Sequence, residues 1–181
     1  MRNNYQNDYI CTNIENIEEI LKNIVEIISK PSKYIPDKLN FSSTTADITS
    51  DESENIDDNE KSEMYSLMES IADLLDEDNF FYDEYFDFCE IQDMIKDTLD
   101  RDIIKKSDLK FISLLVLNFS QLISYKMNLK ENNTFNVDDY ESVYNLFLTK
   151  FHESEIYFYE NICGETLDDD LFIEYTNIIM E

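Results

Sequence analysis

The side chains that could do chemistry in this sequence are one histidine, 41 acidic residues and three thiols. His152 is the single histidine, so any Ser/His/Asp or Cys/His mechanism must pass through it. Nucleophilic catalysis also needs a nucleophile beside that base, and the sequence around His152 carries neither one nor a GxSxG turn. A single glycine leaves no glycine-rich loop to hold a phosphate. We therefore expect a histidine at the surface or at a helix junction, and a protein that is not an enzyme.

The acidic and thiol groups do not follow a metal-binding pattern. Among so many carboxylates close pairs arise by chance, and the run DEDNFFYDEYFD lacks the glycine at position six and the glutamate at position twelve of an EF-hand loop. Cys11, Cys89 and Cys163 are widely separated, with no CxxC spacing. We predict reduced, buried cysteines, no metal site and no cofactor.

Charge excludes one large group of partners. The formal net charge of -27 would repel DNA, RNA and anionic membrane surfaces, because binding to those polyanions depends on Lys and Arg. The first residues lack the charged and then apolar order of a signal peptide, and the last ones lack a hydrophobic anchor. We expect an intracellular protein without a membrane span and without a nucleic-acid partner.

The elements that would carry these side chains are predicted to be helices. Hydrophobic residues make up 43% of the chain, whereas one Gly and two Pro provide too few turns for a strand-rich fold. Residues 107–127 are apolar on almost every side, which predicts a buried central helix with Ser107 as its N-cap. Polar residues interrupt this run, so it falls short of the roughly 20 apolar residues of a membrane span.

Other segments predict further helices around that centre. Residues 14–28 repeat apolar side chains at helical steps and stop before Pro31. Residues 37–61 are rich in Ser, Thr, Asp and Glu, and we interpret them as a flexible acidic linker. Helices are then predicted for residues 62–76, 80–88 and 90–101.

The C-terminal part predicts two or three more helices. One is capped by Asn136, a further segment starts at Ser154 and ends at a C-cap formed by Gly164, and the last starts at Thr166. The whole chain, residues 1–181, is thus expected to be a single all-α domain of seven or eight helices.

Aromatic residues are concentrated between the second predicted helix and the central one. Phe80, Phe81, Tyr82 and Tyr85 belong to a cluster of six aromatic residues that ends at Phe88. Such a cluster either fills the core or serves as an exposed anchor, since aromatic residues are enriched in binding hot spots. An interaction protein is therefore the leading class, and these four are the candidate surface aromatic residues.

The layout resembles one known family. EIQDMIKDTLDRDIIKKSDLKFISLLVLNFSQLISYKMN places a polar and basic turn before the hydrophobic central helix, and an amphipathic DDYESVYNLFLTKF helix follows. This order, with an amphipathic first helix and a variable linker before it, resembles the poxvirus Bcl-2-like proteins, over residues 91–162. The resemblance implies a Bcl-2-like bundle. The chain departs from cellular Bcl-2 proteins in having no Asn-Trp-Gly-Arg signature at the start of the central helix.

The resemblance implies a viral protein of the host cytoplasm that binds host proteins, as a monomer or a homodimer. Some family members bind innate-signalling adaptors or kinases and suppress NF-κB or interferon signalling, which we expect here. Others sequester the BH3 helices of pro-apoptotic proteins in an apolar groove and inhibit apoptosis. An acidic structural or virion-associated protein is the third alternative. If a groove is used, its expected walls are Met64, Leu67, Met68, Ile71, Ile91, Met94 and Ile95.

Overall fold

The computed structural model describes residues 14–29, 39–42 and 52–164, and this part of the chain is almost entirely helical. Its α-helices are α1 (Ile14–Ser29), α2 (Asp58–Asp76), α3 (Tyr82–Leu99), α4 (Lys106–Glu131) and α5 (Val137–Tyr157). The strands β1 (Ser53–Glu54) and β2 (Ile104–Lys105) pair antiparallel. A 3-10 turn, Asn79–Phe81, precedes α3, and a π-helical turn, Phe158–Cys163, follows α5. The predicted all-α class is confirmed.

The central helix is α4, as predicted, and it is longer than expected. It packs against α1, α3 and α5, and apolar residues on almost every side of it are buried. Ser107 does not cap it, which corrects the prediction. The helix begins one residue earlier, where the Asp108 carboxylate accepts a hydrogen bond from the main-chain N–H of Lys105 at 2.8 Å. Ser107 is instead buried within the first turn.

The first helix closes the other side of the core. Ile17, Leu21 and Ile24 of α1 are fully buried, and α1 packs most extensively against α4 and α2. Their three- and four-residue spacing places them on one face of the helix. The helix ends at Ser29, before Pro31, as the sequence predicted.

Residues 39–42 and 52–61 of the predicted acidic linker have a defined structure. Helix α2 begins at Asp58 and not at Ser62, because the Asp57 carboxylate accepts hydrogen bonds from the N–H groups of Asn59 and Glu60. Ahead of it, β1 pairs with β2, and Ile56 is buried. Residues 39–42 contact α4. The remaining linker positions lie outside the described residues.

The number of helices in the described part is smaller than the predicted seven or eight. The aromatic segment from Tyr82 onwards and the predicted helix that follows it form a single helix, α3, which ends at Leu99. Phe80 and Phe81 lie in the 3-10 turn, which is capped by Asp78 and leads directly into α3. Likewise α5 is capped by Asn136, as predicted, but continues without a break through Ser154. Gly164 ends the π-helical turn with φ 70°, which confirms the predicted C-cap. The helix predicted from Thr166 lies outside the described residues.

Candidate interaction surface

The seven residues expected to line a groove are placed in or against the core. Six are buried: Met64, Met68 and Ile71 of α2, and Ile91, Met94 and Ile95 of α3. Leu67 is half-buried and packs against them. Helix α2 packs directly on α3, and these side chains belong to or pack against the one apolar core that the helices share. In the described structure they are interior residues, and only Met94 also borders the groove described below.

The four candidate aromatic residues divide between the interior and the surface. Phe81 is buried, Phe80 and Tyr85 are half-buried, and Tyr82 is 62% exposed. Phe86, which was part of the cluster but not among the four, is 51% exposed. The helical spacing of Tyr82 and Phe86, four residues apart, is the signal that could have paired them on one outward face.

Tyr82, Tyr85 and Phe86 form what we call the aromatic patch. The ring centroids of Tyr82 and Phe86 are 5.1 Å apart, and those of Tyr85 and Phe86 are 5.3 Å apart, both in edge-to-face geometry. This is a favourable arrangement for aromatic pairs, so the three rings support one another. The patch therefore presents a continuous aromatic surface on the first turns of α3.

Carboxylates of α2 lie near the aromatic patch. The pKa of the Tyr85 hydroxyl is raised, first by its hydrogen bond with Cys89 and also by the nearby negative charges of Asp76 and Asp73 from α2. Asp83, between the patch residues in sequence, is exposed. A partner that covers the patch would thus meet aromatic rings at the centre and negative charge at the edge.

A buried ion pair fixes the part of α3 that carries the patch. On the inner face, the Glu84 carboxylate accepts hydrogen bonds from Lys126 Nζ of α4 at 2.6 and 2.8 Å, and from the Tyr140 hydroxyl of α5. The Lys126 ammonium also lies 4.7 Å from the ring centroids of both Phe80 and Tyr140, at the distance of a cation–π contact. Because one network joins three helices, the start of α3 is held in a defined orientation.

A second polar contact lies one turn further along. The Tyr144 hydroxyl of α5 donates to Asp87 Oδ2 at 2.7 Å. Burial raises the pKa of Asp87 to about 7, although this hydrogen bond favours the charged carboxylate. Burial also raises the pKa of Tyr144, together with the charge of Asp87. Neither Glu84 nor Asp87 was singled out from the sequence, because among 41 acidic residues nothing marks those that face inward.

His152 belongs to a local pair on α5. Its Nδ1 lies 2.6 Å from Glu155 Oε2, and this hydrogen bond is the first cause of its raised pKa. The side chain is half-buried, in keeping with the expected surface or junction position. Cys89 is half-buried and Cys163 is exposed, so the prediction of buried cysteines is wrong for Cys163. Cys11 lies outside the described residues.

A separate groove of about 320 Å³ lies between α3 and the π-helical turn. It is lined by Glu90, Asp93, Met94, Asp97, Glu155, Phe158 and Tyr159. Burial raises the pKa of Glu90, and the neighbouring charge of Glu155 adds to this. Of the expected groove residues this groove contains only Met94, and its acidic lining favours basic groups over an apolar helix face.

Within residues 14–29, 39–42 and 52–164, no three His, Cys, Asp or Glu side chains are arranged to hold a metal ion. No helix in this described part is both long and apolar enough to cross a membrane. Comparisons with family models, curated proteins and solved structures return no match to this chain.

Proposed function

We propose that this protein acts by binding host signalling proteins and suppresses innate immune signalling towards NF-κB or interferon. The observation that carries the proposal is the aromatic patch, with two strongly exposed rings on a helix fixed from below by a buried ion pair. Interfaces obtain most of their energy from a few such anchors, and aromatic residues are frequent among them. A rigid anchor also loses little conformational freedom when it binds.

The arrangement of the helices supports a Bcl-2-like bundle as the scaffold. A long hydrophobic helix, α4, is enclosed by α1, α3 and α5, and a linker-containing stretch separates α1 from α2. The resemblance in sequence implies the same order. On this proposal the protein works in the cytoplasm of an infected cell.

The chemistry of the aromatic patch and its surroundings also indicates which kind of contact surface the partner has. Acidic groups at its edge and a net charge of -27 favour a host protein whose contact surface combines apolar and basic side chains. Binding of BH3 helices receives less support, since α2 and α3 would have to separate before their apolar residues became available.

The test uses animal-cell reporter assays for NF-κB and interferon activation. The wild-type chain should suppress at least one reporter, and the double variant Tyr82→Ala/Phe86→Ala should lose this suppression. The matched control is Val137→Ala/Leu146→Ala, which removes two apolar side chains of α5 that are 65% and 62% exposed. The control should suppress as strongly as wild type.

Equal abundance of the three proteins in the cell is measured alongside, so that loss of the protein is not mistaken for loss of binding. Full suppression by the Tyr82→Ala/Phe86→Ala variant would show that the aromatic patch is not the surface that binds the host protein. Failure of the wild-type chain to suppress either reporter would overturn the proposed function itself.

A further inference from the structure

We infer that the face of α4 around Asn118 and Gln121 is a binding site for a short non-helical peptide segment with an aromatic side chain. In this structure the chain's own residues 39–42 occupy it. A partner protein's segment of the same chemistry would bind by displacing them.

The occupying residues are held through their main chain. The Ser42 N–H donates to Asn118 Oδ1 at 2.9 Å, and Asn118 Nδ2 donates back to the Ser42 carbonyl at 2.9 Å. The Asn40 N–H donates to Gln121 Oε1 at 3.2 Å. Residues 40 and 42 thus present their main-chain N–H groups to the same helix.

One side chain supplies the apolar anchor. The Phe41 ring packs edge-to-face on Phe147 of α5, with ring centroids 5.9 Å apart. Phe147 is fully buried and also contacts Phe119 of α4, so Phe41 covers the aromatic core between the two helices. The site thus favours an aromatic side chain at one position. On either side of that position it forms hydrogen bonds only with the main chain.

The two amide side chains explain why the site needs an occupant. Asn118 and Gln121 are two of the buried polar residues of α4. Burial of an amide without a hydrogen-bond partner is costly, about 1–3 kcal/mol for each unsatisfied group. A peptide main chain offers the donor and the acceptor that Asn118 requires, whereas a packed apolar side chain offers neither. The site is therefore chemically specific for polypeptide backbone.

Residues 39–42 belong to the same chain, so an external segment competes against a tethered ligand. Tethered ligands reach effective concentrations of the order of mM. The intact site is consequently occupied in cis, and a variant that weakens the internal segment should open it to added peptide.

The experiment measures binding of a fluorescent synthetic peptide, with the sequence of residues 36–45, to the full chain. We expect weak binding to wild type and binding about tenfold tighter to the Phe41→Ala variant, which loses the internal anchor. The same peptide with Ala in place of Phe should not bind. Adding Asn118→Ala to the Phe41→Ala chain should weaken peptide binding by about tenfold, since a paired donor and acceptor are removed.

Circular dichroism checks that each variant folds. If Phe41→Ala does not fold, Ser42→Pro replaces it, because it removes the N–H that donates to Asn118 Oδ1 and leaves Phe41 in place. The folded wild-type chain provides an independent measurement: peptide at mM concentration should shift the NMR signals of the chain's own main-chain N–H groups of Asn40 and Ser42, because displacement frees them from Gln121 and Asn118. The inference is overturned if those signals do not move, or if the Ala-containing peptide binds as tightly as the original.

Discussion

Lys126 is the residue that most departs from its expected surroundings, because its ammonium group is buried between a carboxylate and aromatic rings. Removing two charges from water is expensive, and their attraction repays the cost only where geometry and further hydrogen bonds are good. Here the Tyr140 hydroxyl adds a donor to Glu84, and the rings of Phe80 and Tyr140 face the cation. The buried charges of Glu84 and Lys126 are therefore tolerated only when both residues are present.

Substitution of Glu84 alone should strongly destabilise the folded protein. Glu84→Gln leaves the Lys126 ammonium buried without a counter-charge, so we expect the free energy of unfolding to fall by about 3–5 kcal/mol in urea denaturation. The control is Asp78→Asn, at the exposed ion pair with Lys130. It keeps an oxygen able to cap the 3-10 turn and should cost at most about 1 kcal/mol. Similar losses for both variants would show that the buried pair has no special importance.

Asp87 should make stability depend on pH. Burial raises its pKa from 3.8 to about 7, so the folded protein holds this proton more tightly than the unfolded chain does. The resulting stabilisation is complete below pH 3.8 and is lost as pH rises through about 7. Urea denaturation between pH 5 and pH 8 should therefore show Asp87→Asn becoming more stable relative to wild type as pH rises.

The comparison between variant and wild type separates this effect from the general repulsion among acidic groups, which changes in both proteins. His152, whose pKa is also raised, stabilises in the same direction. The charge of Asp87 is the smallest of the causes of that raised pKa, so most of the His152 effect is present in both proteins. Asp83→Asn, an exposed neighbour on α3, serves as the matched control. A constant difference between wild type and Asp87→Asn across this range would contradict the assignment.

At the scale of elements, the start of α2 shows how a short sequence signal sets a helix boundary. Asp57 and Glu60 form a capping box, in which Glu60 Oε2 also accepts the Asp57 N–H at 2.9 Å. The pattern of an acid three residues before a glutamate was present in the sequence. The many acidic residues around it, which indicate a linker, make this signal hard to distinguish.

Loss of that cap should shorten the helix. Asp57→Ala leaves the N–H groups of Asn59 and Glu60 without their acceptor, and we expect a loss of about 1 kcal/mol in the free energy of unfolding. Asp58→Ala, one residue into the same helix, removes an exposed carboxylate but keeps the cap and serves as control. If the two variants lose equal stability, the effect belongs to helix charge rather than to capping.

Helix type was predictable from the regular apolar spacing of α1 and from the long apolar run of α4. The joins between helices were not, because the sequence has no proline or glycine, and no other clear signal, to show that the 3-10 turn leads directly into α3 or that α5 continues through Ser154. The candidate surface was predicted in part. Clustering marked the aromatic residues, but only the orientation imposed by Glu84 and Lys126 decides that Tyr82 faces outward and Phe81 inward.

At the scale of the whole molecule, most charged side chains lie outside the apolar core, and the Glu84–Lys126 pair is an exception. The described helices share one apolar core, which takes up the residues expected to line a groove. Most of the acidic residues with resolved positions remain at the surface, and the aromatic patch interrupts that acidic surface. On the proposed function, this contrast is what would let a partner with basic and apolar groups find one face of the bundle.

The close packing of α1 on α4 has a kinetic consequence. The chain passes through all of α2 and α3 between these two helices, so their contact joins residues that are distant in sequence. Closing so long a loop costs entropy before the contact repays it, and helical proteins fold fastest when their contacts are local. This bundle should accordingly fold more slowly than a helical protein of the same length in which each helix packs on its sequence neighbour.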